Sequence, residues 1–253
     1  MEPEDEQPRP RNRHIYLLPN LLTTCGMFAG FYAILAAAGG HFENACIAVF
    51  VAALFDGIDG RVARMTGTSS EFGVQYDSLA DLVSFGMAPS LVMYHWALAN
   101  MRGDGVLAGK IGWAAAFLYA ACAALRLARF NTQVGSVDKR WFIGLNSPSS
   151  AGLMMAFVWA TSELGFSGDS LRYAALALTI TCGLLMVSRF KYTSFKGAPK
   201  GDRVPFWVML LVVGVLVALF VFREMALLAV AICYAVSGPG LWLWSKLRRK
   251  PLA

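Results

Sequence analysis

The residues in this sequence most able to do chemistry are four aspartates within 26 positions of one another: Asp56, Asp59, Asp77 and Asp81. They stand in the stretch 55–89, inside a sequence that is otherwise mostly apolar. A carboxylate near the centre of a bilayer costs roughly 2.5–3.5 kcal/mol, so protons or cations must compensate four of them. Oxygen-only ligands suit magnesium, manganese or calcium, and not zinc, since no histidine or cysteine accompanies them. The pattern predicts a site for hard divalent cations.

Helical spacing predicts that these aspartates meet. Residues three, four, seven and eight apart share one face of a helix. That rule defines two stripes, the first formed by Asp56, Asp59, Gly60, Ala63 and Arg64 and the second by Gly73, Asp77, Asp81 and Ser84. The polar run 66–70 between them is rich in turn formers, so we expect the two segments to fold back antiparallel. Glycines on both stripes leave room for a bulky ligand to approach the backbone.

The elements that must position these residues are transmembrane helices. Of the 253 residues, 57% are hydrophobic and only 15% are charged, and the mean hydropathy is +0.53. This composition excludes an ordinary soluble domain and predicts an all-α, polytopic transmembrane helix bundle. We expect about eight spans, near residues 17–38, 44–65, 75–99, 105–129, 148–162, 171–187, 204–222 and 225–244.

Basic residues predict the orientation of this bundle. With eight spans, 18 of the 22 lysines and arginines fall on the side of the two termini. The positive-inside rule then places both termini and the aspartates in the cytosol. The net charge of +6 is explained by topology and by attraction to anionic membrane lipids, so nucleic-acid binding is not expected. No cleaved signal is expected, because the polar residues 1–14 read as a disordered cytosolic tail.

The cysteines and histidines predict no further site. The five cysteines are scattered singly through apolar segments and are expected to be buried, small hydrophobic residues. The three histidines show no ligand spacing.

The acidic segment resembles a known family signature. Its eight positions, Asp56, Asp59, Gly60, Ala63, Arg64, Gly73, Asp77 and Asp81, are similar to the signature of the CDP-alcohol phosphatidyltransferases. The resemblance covers roughly residues 17–187. It implies a six-helix catalytic core at 15–188 and metal-dependent transfer of a phosphatidyl group from CDP-diacylglycerol to a small alcohol. Beyond that core we expect a basic cytosolic loop at 189–203, and two extra helices with a basic tail at 204–253.

Two further segments resemble the phosphatidylserine synthase branch of this family, namely YDSLADLVSFGMAPS at 76–90 and RLARFN at 126–131. Arg126 and Arg129 share a helix face, and two guanidiniums could grip a carboxylate or phosphate bidentately. Snorkelling to lipid phosphate is the alternative. Asn146 stands where that branch is expected to have a proline, and we expect Ser147 to cap the next helix with Pro148 at its first position.

The resemblance implies a role for each site residue. Asp56, Asp59, Asp77 and Asp81 would hold two divalent cations, Mg²⁺ or Mn²⁺, and Asp81 would also be the general base. Gly60, Ala63, Arg64 and Gly73 would accommodate the cytidine diphosphate of CDP-diacylglycerol. The acceptor L-serine, or a substrate phosphate, would be held by Ser84, Arg126, Arg129 and Asn131. The resemblance also implies a homodimer. Because no signal peptide is expected, we expect a bacterial or archaeal plasma (inner) membrane, with the endoplasmic reticulum as the alternative.

Three other functions stay open from the sequence. Glycerol 3-phosphate or an inositol phosphate could replace serine as the acceptor. An aspartate-rich prenyltransferase would also bind magnesium diphosphate, but with a different acidic spacing. A divalent-cation transporter would place its carboxylates near the bilayer midplane, whereas these lie toward the predicted cytosolic ends.

Overall fold

The part of the chain that the structure describes is mostly helical. The computed structural model describes residues 17–66, 70–133, 141–193 and 223–248. Eight α-helices lie in these ranges: α1 Leu17–Ala38, α2 Phe42–Thr66, α3 Glu71–Asp81, α4 Ala88–Trp96, α5 Val106–Gln133, α6 Ser147–Glu163, α7 Arg172–Val187 and α8 Arg223–Arg248. The predicted all-α class is confirmed.

Apolar length identifies the chain as an integral membrane protein. Four helical stretches are long and apolar enough to cross a bilayer, namely Leu18–Ala38, Glu71–Asp104, Val106–Thr132 and Arg223–Trp244. Seven of the eight predicted spans coincide with helices. The other, at 204–222, lies outside the described residues, as do the predicted tail at 1–14 and most of the turn at 66–70.

Helix α6 lies at the centre of the described bundle. It is apolar on nearly every side, and it packs against α2, α4, α7 and α8. Ala151, Met154 and Met155 are fully buried in it. Helix α1 packs along α2 and also contacts α3 and α4, which brings the first acidic stripe toward the second. Cys46, Cys122 and Cys182 are buried as predicted, but Cys233 is exposed and Cys25 is half-buried.

A π-helical turn, Leu82–Met87, joins α3 to α4 in one continuous rod. It begins directly after Asp81. Ser84 lies in it, fully enclosed, and donates a hydrogen bond to the carbonyl oxygen of Gly26 in α1, 3.1 Å away. The two backbones approach closely because α1 has Gly30 there, where a Cβ would lie 2.6 Å from the Ser84 hydroxyl oxygen. A π turn shifts the register of a helix, and here it separates Asp77 and Asp81 from the apolar α4.

Two short strands, β1 Trp141–Ile143 and β2 Lys191–Thr193, pair antiparallel at the end of the bundle. The sequence predicted only a basic loop at 189–203, so strand β2 was missed at the start of that segment. A three-residue strand is too short to show a period-2 pattern. The side chain of Tyr192 is fully buried, and this pairing holds the segments before α6 and after α7 together.

The predicted cap of α6 was wrong by one residue. Asn146 is the N-cap, since its side-chain oxygen accepts a hydrogen bond from the backbone N–H of Ser149, 2.9 Å away. Ser147 is the first helical residue, and Pro148 follows it. Asparagine caps helices as well as serine does, so the Asn146 departure from the family pattern keeps the helix start. The Ser147 hydroxyl is left for another partner, described below.

Candidate active site

Three aspartates converge between α2 and α3. Asp56, Asp59 and Asp77 each offer a carboxylate oxygen, and these oxygens lie within 4.8 Å of one another. Asp81 lines the same small cavity, one turn along α3 from Asp77, and its carboxyl group is within hydrogen-bonding reach of Asp56. Ser84 completes this wall of the cavity. The structure thus brings together all four predicted aspartates.

The donor set fits hard divalent cations. Every predicted ligand is a carboxylate oxygen, which Mg²⁺ and Mn²⁺ prefer. Asp59 is buried, with 4% of its surface exposed, and carboxylates crowded at this spacing repel unless a cation or proton lies among them. The acidic cluster, Asp56, Asp59, Asp77 and Asp81, is therefore a candidate metal centre.

Helix α1 orients this cluster through residues that the sequence analysis missed. The hydroxyl of Thr23, which is buried, donates a hydrogen bond to a carboxylate oxygen of Asp59, 2.7 Å away. Thr24 and Tyr76 join α1 to α3 through their hydroxyls, 2.8 Å apart. Hydrogen bonds of this kind hold metal-binding carboxylates in one orientation. The signal was present as polar residues at Asn20, Thr23 and Thr24, on one face of an apolar span.

A second cavity of about 180 Å³ opens beside the acidic cluster. Four of its lining residues are those predicted to receive the cytidine diphosphate: Gly60, Ala63, Arg64 and Gly73. Asp59 and Asp77 lie in its wall as well, so the cavity is continuous with the acidic cluster. Asn20 and Ser70 line it too, and Ser70 caps α3 by accepting a hydrogen bond from the N–H of Gly73, 3.0 Å away.

Arg126 faces the acidic cluster from α5. Its guanidinium interacts electrostatically with Asp81, and its Nη1 donates a hydrogen bond to the Ser147 hydroxyl, 2.8 Å away. The Nε atom is buried and has no partner among the described residues. A buried donor without a partner costs about 1–3 kcal/mol, so this N–H is available to a ligand.

Arg129 and Asn131 engage the protein instead. Arg129 donates hydrogen bonds to two backbone carbonyls, that of Ile143 at 2.9 Å and that of Val187 at 3.2 Å. Asn131 forms hydrogen bonds with the Ser78 hydroxyl in α3, where its Nδ2 lies 3.0 Å away. Arg129 therefore ties strand β1 to the end of α7, and Asn131 ties α5 to α3. Their predicted contact with substrate stays a prediction.

Comparison with known proteins identifies the family of this chain. The sequence model of the CDP-alcohol phosphatidyltransferases matches residues 16–187. A CDP-diacylglycerol–serine O-phosphatidyltransferase of Helicobacter pylori is 38% identical over 182 residues, which cover 72% of this chain and 74% of the relative. A protein of the same name from Methanocaldococcus jannaschii is 33% identical, over 72% of this chain and 77% of the relative.

An archaetidylserine synthase of Methanothermobacter thermautotrophicus is 34% identical over 71% of each chain. The matched region contains α1 to α7 and therefore every residue of both cavities. The chain belongs to the CDP-alcohol phosphatidyltransferase family, a family of transferases.

Proposed function

We propose that this protein transfers a phosphatidyl group from CDP-diacylglycerol to the hydroxyl of L-serine, giving phosphatidylserine and CMP. The observation that carries the proposal is the acidic cluster. Carboxylate oxygens from three of its aspartates lie within 4.8 Å of one another. The cluster adjoins the cavity that is lined by Gly60, Ala63, Arg64 and Gly73. The names of the relatives support serine as the acceptor.

The donor lipid would lie with its acyl chains in the bilayer and its diphosphate at the acidic cluster. Gly60 and Gly73 present no side chain toward the adjoining cavity, so the cytidine diphosphate can approach the helix backbones there. Arg64 is exposed at the edge of this cavity, where its guanidinium can pair with a phosphate.

Asp56, Asp59, Asp77 and Asp81 would hold two divalent cations, Mg²⁺ or Mn²⁺. When bound, such ions neutralise the diphosphate and polarise the oxygens on the phosphorus under attack. Thr23 keeps Asp59 in its orientation by donating to one of its oxygens, so the other oxygen remains available as a ligand.

A carboxylate oxygen of Asp81 would accept the proton of the serine hydroxyl. In the net reaction, the serine oxygen forms a bond to the phosphatidyl phosphorus, the anhydride bond breaks, and CMP leaves with the electron pair of that bond. Asp81 is suited to this proton transfer for two reasons. It lines the acidic cavity beside Ser84, and it interacts electrostatically with the Arg126 guanidinium.

Arg126 would bind the carboxylate of serine. Its Nη1 is anchored by Ser147 while its Nε has no partner among the described residues, and the side of a guanidinium can hold a carboxylate with two hydrogen bonds. Arg129 and Asn131 would support this site indirectly through their contacts with the backbone and with Ser78.

The site would face the cytosol of a bacterial or archaeal cell, in its plasma membrane, with both termini on that side. The distribution of basic residues supports this orientation. It also supports contact of the basic segments with anionic lipids. We also propose that the protein is a homodimer. Each chain would consist of a core at 15–188, a basic loop at 189–203 and two extra C-terminal helices.

The test is CMP release by the purified protein in detergent with CDP-diacylglycerol and Mn²⁺ or Mg²⁺. L-serine and glycerol 3-phosphate are compared as acceptors, in the wild type and in Asp81→Asn. We expect release that depends on serine and on the metal, and that is lost in the variant. Release with glycerol 3-phosphate alone would keep the site but refute the acceptor. No release with any alcohol, in folded protein, would refute the enzyme and favour cation transport.

A further inference from the structure

Helix α8 lies beyond the part of the chain that the family model matches, which ends at residue 187. It nevertheless packs against the central helix α6 and against strand β2. Two separate contacts, one at the first residue of the helix and one at its middle, fix its position against the catalytic helices.

The contact at the middle of the helix is a hydrogen bond to a carbonyl that a proline leaves free. Pro239 lies inside α8 and has no N–H, so the carbonyl of Ala235, four residues earlier, loses its helical partner. The hydroxyl of Tyr192 in β2 donates to that carbonyl, 3.1 Å away. Gly238 makes room for the ring, since a Cβ there would collide with Tyr192. Strand β2 therefore contacts α8 at the turn that contains Ala235 and Gly238.

The contact toward the N-terminal end is made by Arg223. Its guanidinium lies over the ring of Trp159 in α6, 4.6 Å from the centroid, and its Nη2 is 3.9 Å from a carboxylate oxygen of Glu43 in α2. With α8 held at its first residue and at its middle, its rotation about its axis is defined, and so is the face that it turns toward the bundle.

That face includes Tyr234, which packs partly buried against the core. Its ring lies 5.6 Å from the ring of Tyr192, and Tyr234 is within electrostatic range of the Arg126 guanidinium. Arg126 is thus within electrostatic range of both Asp81 and Tyr234. Its Nη1 is taken by Ser147, and its buried Nε has no partner among the described residues.

We propose that Tyr234 is a specificity-determining residue that, together with Arg126, forms the carboxylate-binding half of the acceptor site. Helix α8 would form one wall of this half. The proposal rests on the proposed function. The Tyr234 hydroxyl and the Arg126 Nε–H would each donate a hydrogen bond to the carboxylate of the amino-acid acceptor. The hydrogen bond from Tyr192 to Ala235 makes Tyr192 a positioning residue, because it holds α8 at the required depth.

The experiment measures steady-state CMP release by the full-length protein with two acceptors, L-serine and serinol, which has a hydroxymethyl group in place of the carboxylate. Tyr234→Phe should raise the KM for serine about tenfold, the loss expected for one hydrogen bond to a charged group. The kcat at saturating serine, the KM for CDP-diacylglycerol and the kcat/KM for serinol should stay within about twofold of the wild type. Tyr173→Phe, whose hydroxyl donates to Asp104 at the opposite end of the bundle, is the matched control and should change none of these constants.

A second pair of variants tests α8 without touching Tyr234. Gly238→Ala should displace α8 from Tyr192 and raise the serine KM, whereas Gly240→Ala, with open space around the added methyl, should not. An unchanged serine KM in both Tyr234→Phe and Gly238→Ala would overturn the inference, as would an equal loss with serinol. Failure of the proposed function would look different, because the wild type itself would then release no CMP with serine.

Discussion

At the scale of single residues, three charged groups of the site have defined partners. Asp59 accepts from Thr23, Arg126 donates to Ser147, and Arg129 donates to two backbone carbonyls. The hydrogen-bond partners show which side chains still have a donor available to the substrate and which use their donors within the protein. The two arginines of RLARFN look equivalent in the sequence, and only their partners distinguish them.

Replacing Thr23 by valine removes the hydrogen bond to Asp59 and keeps the shape of the side chain. We expect the metal concentration that gives half-maximal activity to rise about tenfold, since loss of an outer hydrogen bond weakens metal sites by 10- to 100-fold. Titration of CMP release with Mn²⁺ measures this. Thr161→Val is the control, because the Thr161 hydroxyl bonds only carbonyls of its own helix. An unchanged metal requirement in Thr23→Val would show that this hydrogen bond does not orient the ligand.

Replacing Arg129 by alanine removes the donors to the carbonyls of Ile143 and Val187. A hydrogen bond to a charged group is worth about 1.5–3 kcal/mol, so we expect the unfolding free energy to fall by at least that much. A lower thermal midpoint in detergent, with the serine KM less affected than in Arg126→Ala, is the expected result. A normal midpoint together with a raised serine KM would instead make Arg129 a substrate-binding residue, as the sequence suggested.

At the scale of elements, the helices could be predicted from the sequence and their joints could not. The length of the apolar segments predicted α1 to α8. The helical spacing of the two acidic stripes predicted that the aspartates converge. Both predictions depend on local sequence alone. The π turn after Asp81, the pairing of β1 with β2 and the α6 cap depend on long-range contacts or on a choice between adjacent polar residues. Local pattern carries little information about such features.

The π turn provides a test of how α3 presents Asp81. In Gly30→Ala, the added methyl would lie 2.6 Å from the Ser84 hydroxyl oxygen and 2.7 Å from its Cα, so α1 and the turn must move apart. Overpacking of this kind costs about 1–3 kcal/mol. We expect a lower thermal midpoint and a several-fold lower kcat. Gly103→Ala lies in the helical stretch Glu71–Asp104 that contains the turn, has open space around its Cβ, and is the control. If Gly30→Ala kept full kcat, the turn would not set the position of Asp81.

At the scale of the whole molecule, the acidic cluster lies near one end of the bundle and a separate ionic group lies near the other. There Arg172 forms two hydrogen bonds to the carboxylate of Asp104, at 2.6 and 2.7 Å, and Tyr173 donates to the same carboxylate. This exposed group links the segment before α5 to the first turn of α7.

The proposed orientation can be tested with single cysteines at these two ends. In intact cells, a membrane-impermeant maleimide should label Gly103→Cys and should leave Met65→Cys unlabelled until the membrane is opened. Both positions are exposed, and the parent protein gives the background of its own five cysteines. Labelling of Met65→Cys in intact cells would place the acidic cluster outside and contradict the positive-inside assignment.

The central claim is that the family's metal-dependent transfer is directed at serine in this protein. The most direct measurement is transfer of label from L-[¹⁴C]serine into lipid by the purified protein with CDP-diacylglycerol and Mn²⁺, with and without a chelator. We expect a labelled phospholipid that forms in step with CMP, and we expect the chelator and Asp81→Asn each to abolish it. CMP release without label in the lipid, or label transfer that persists in the chelator, would contradict it.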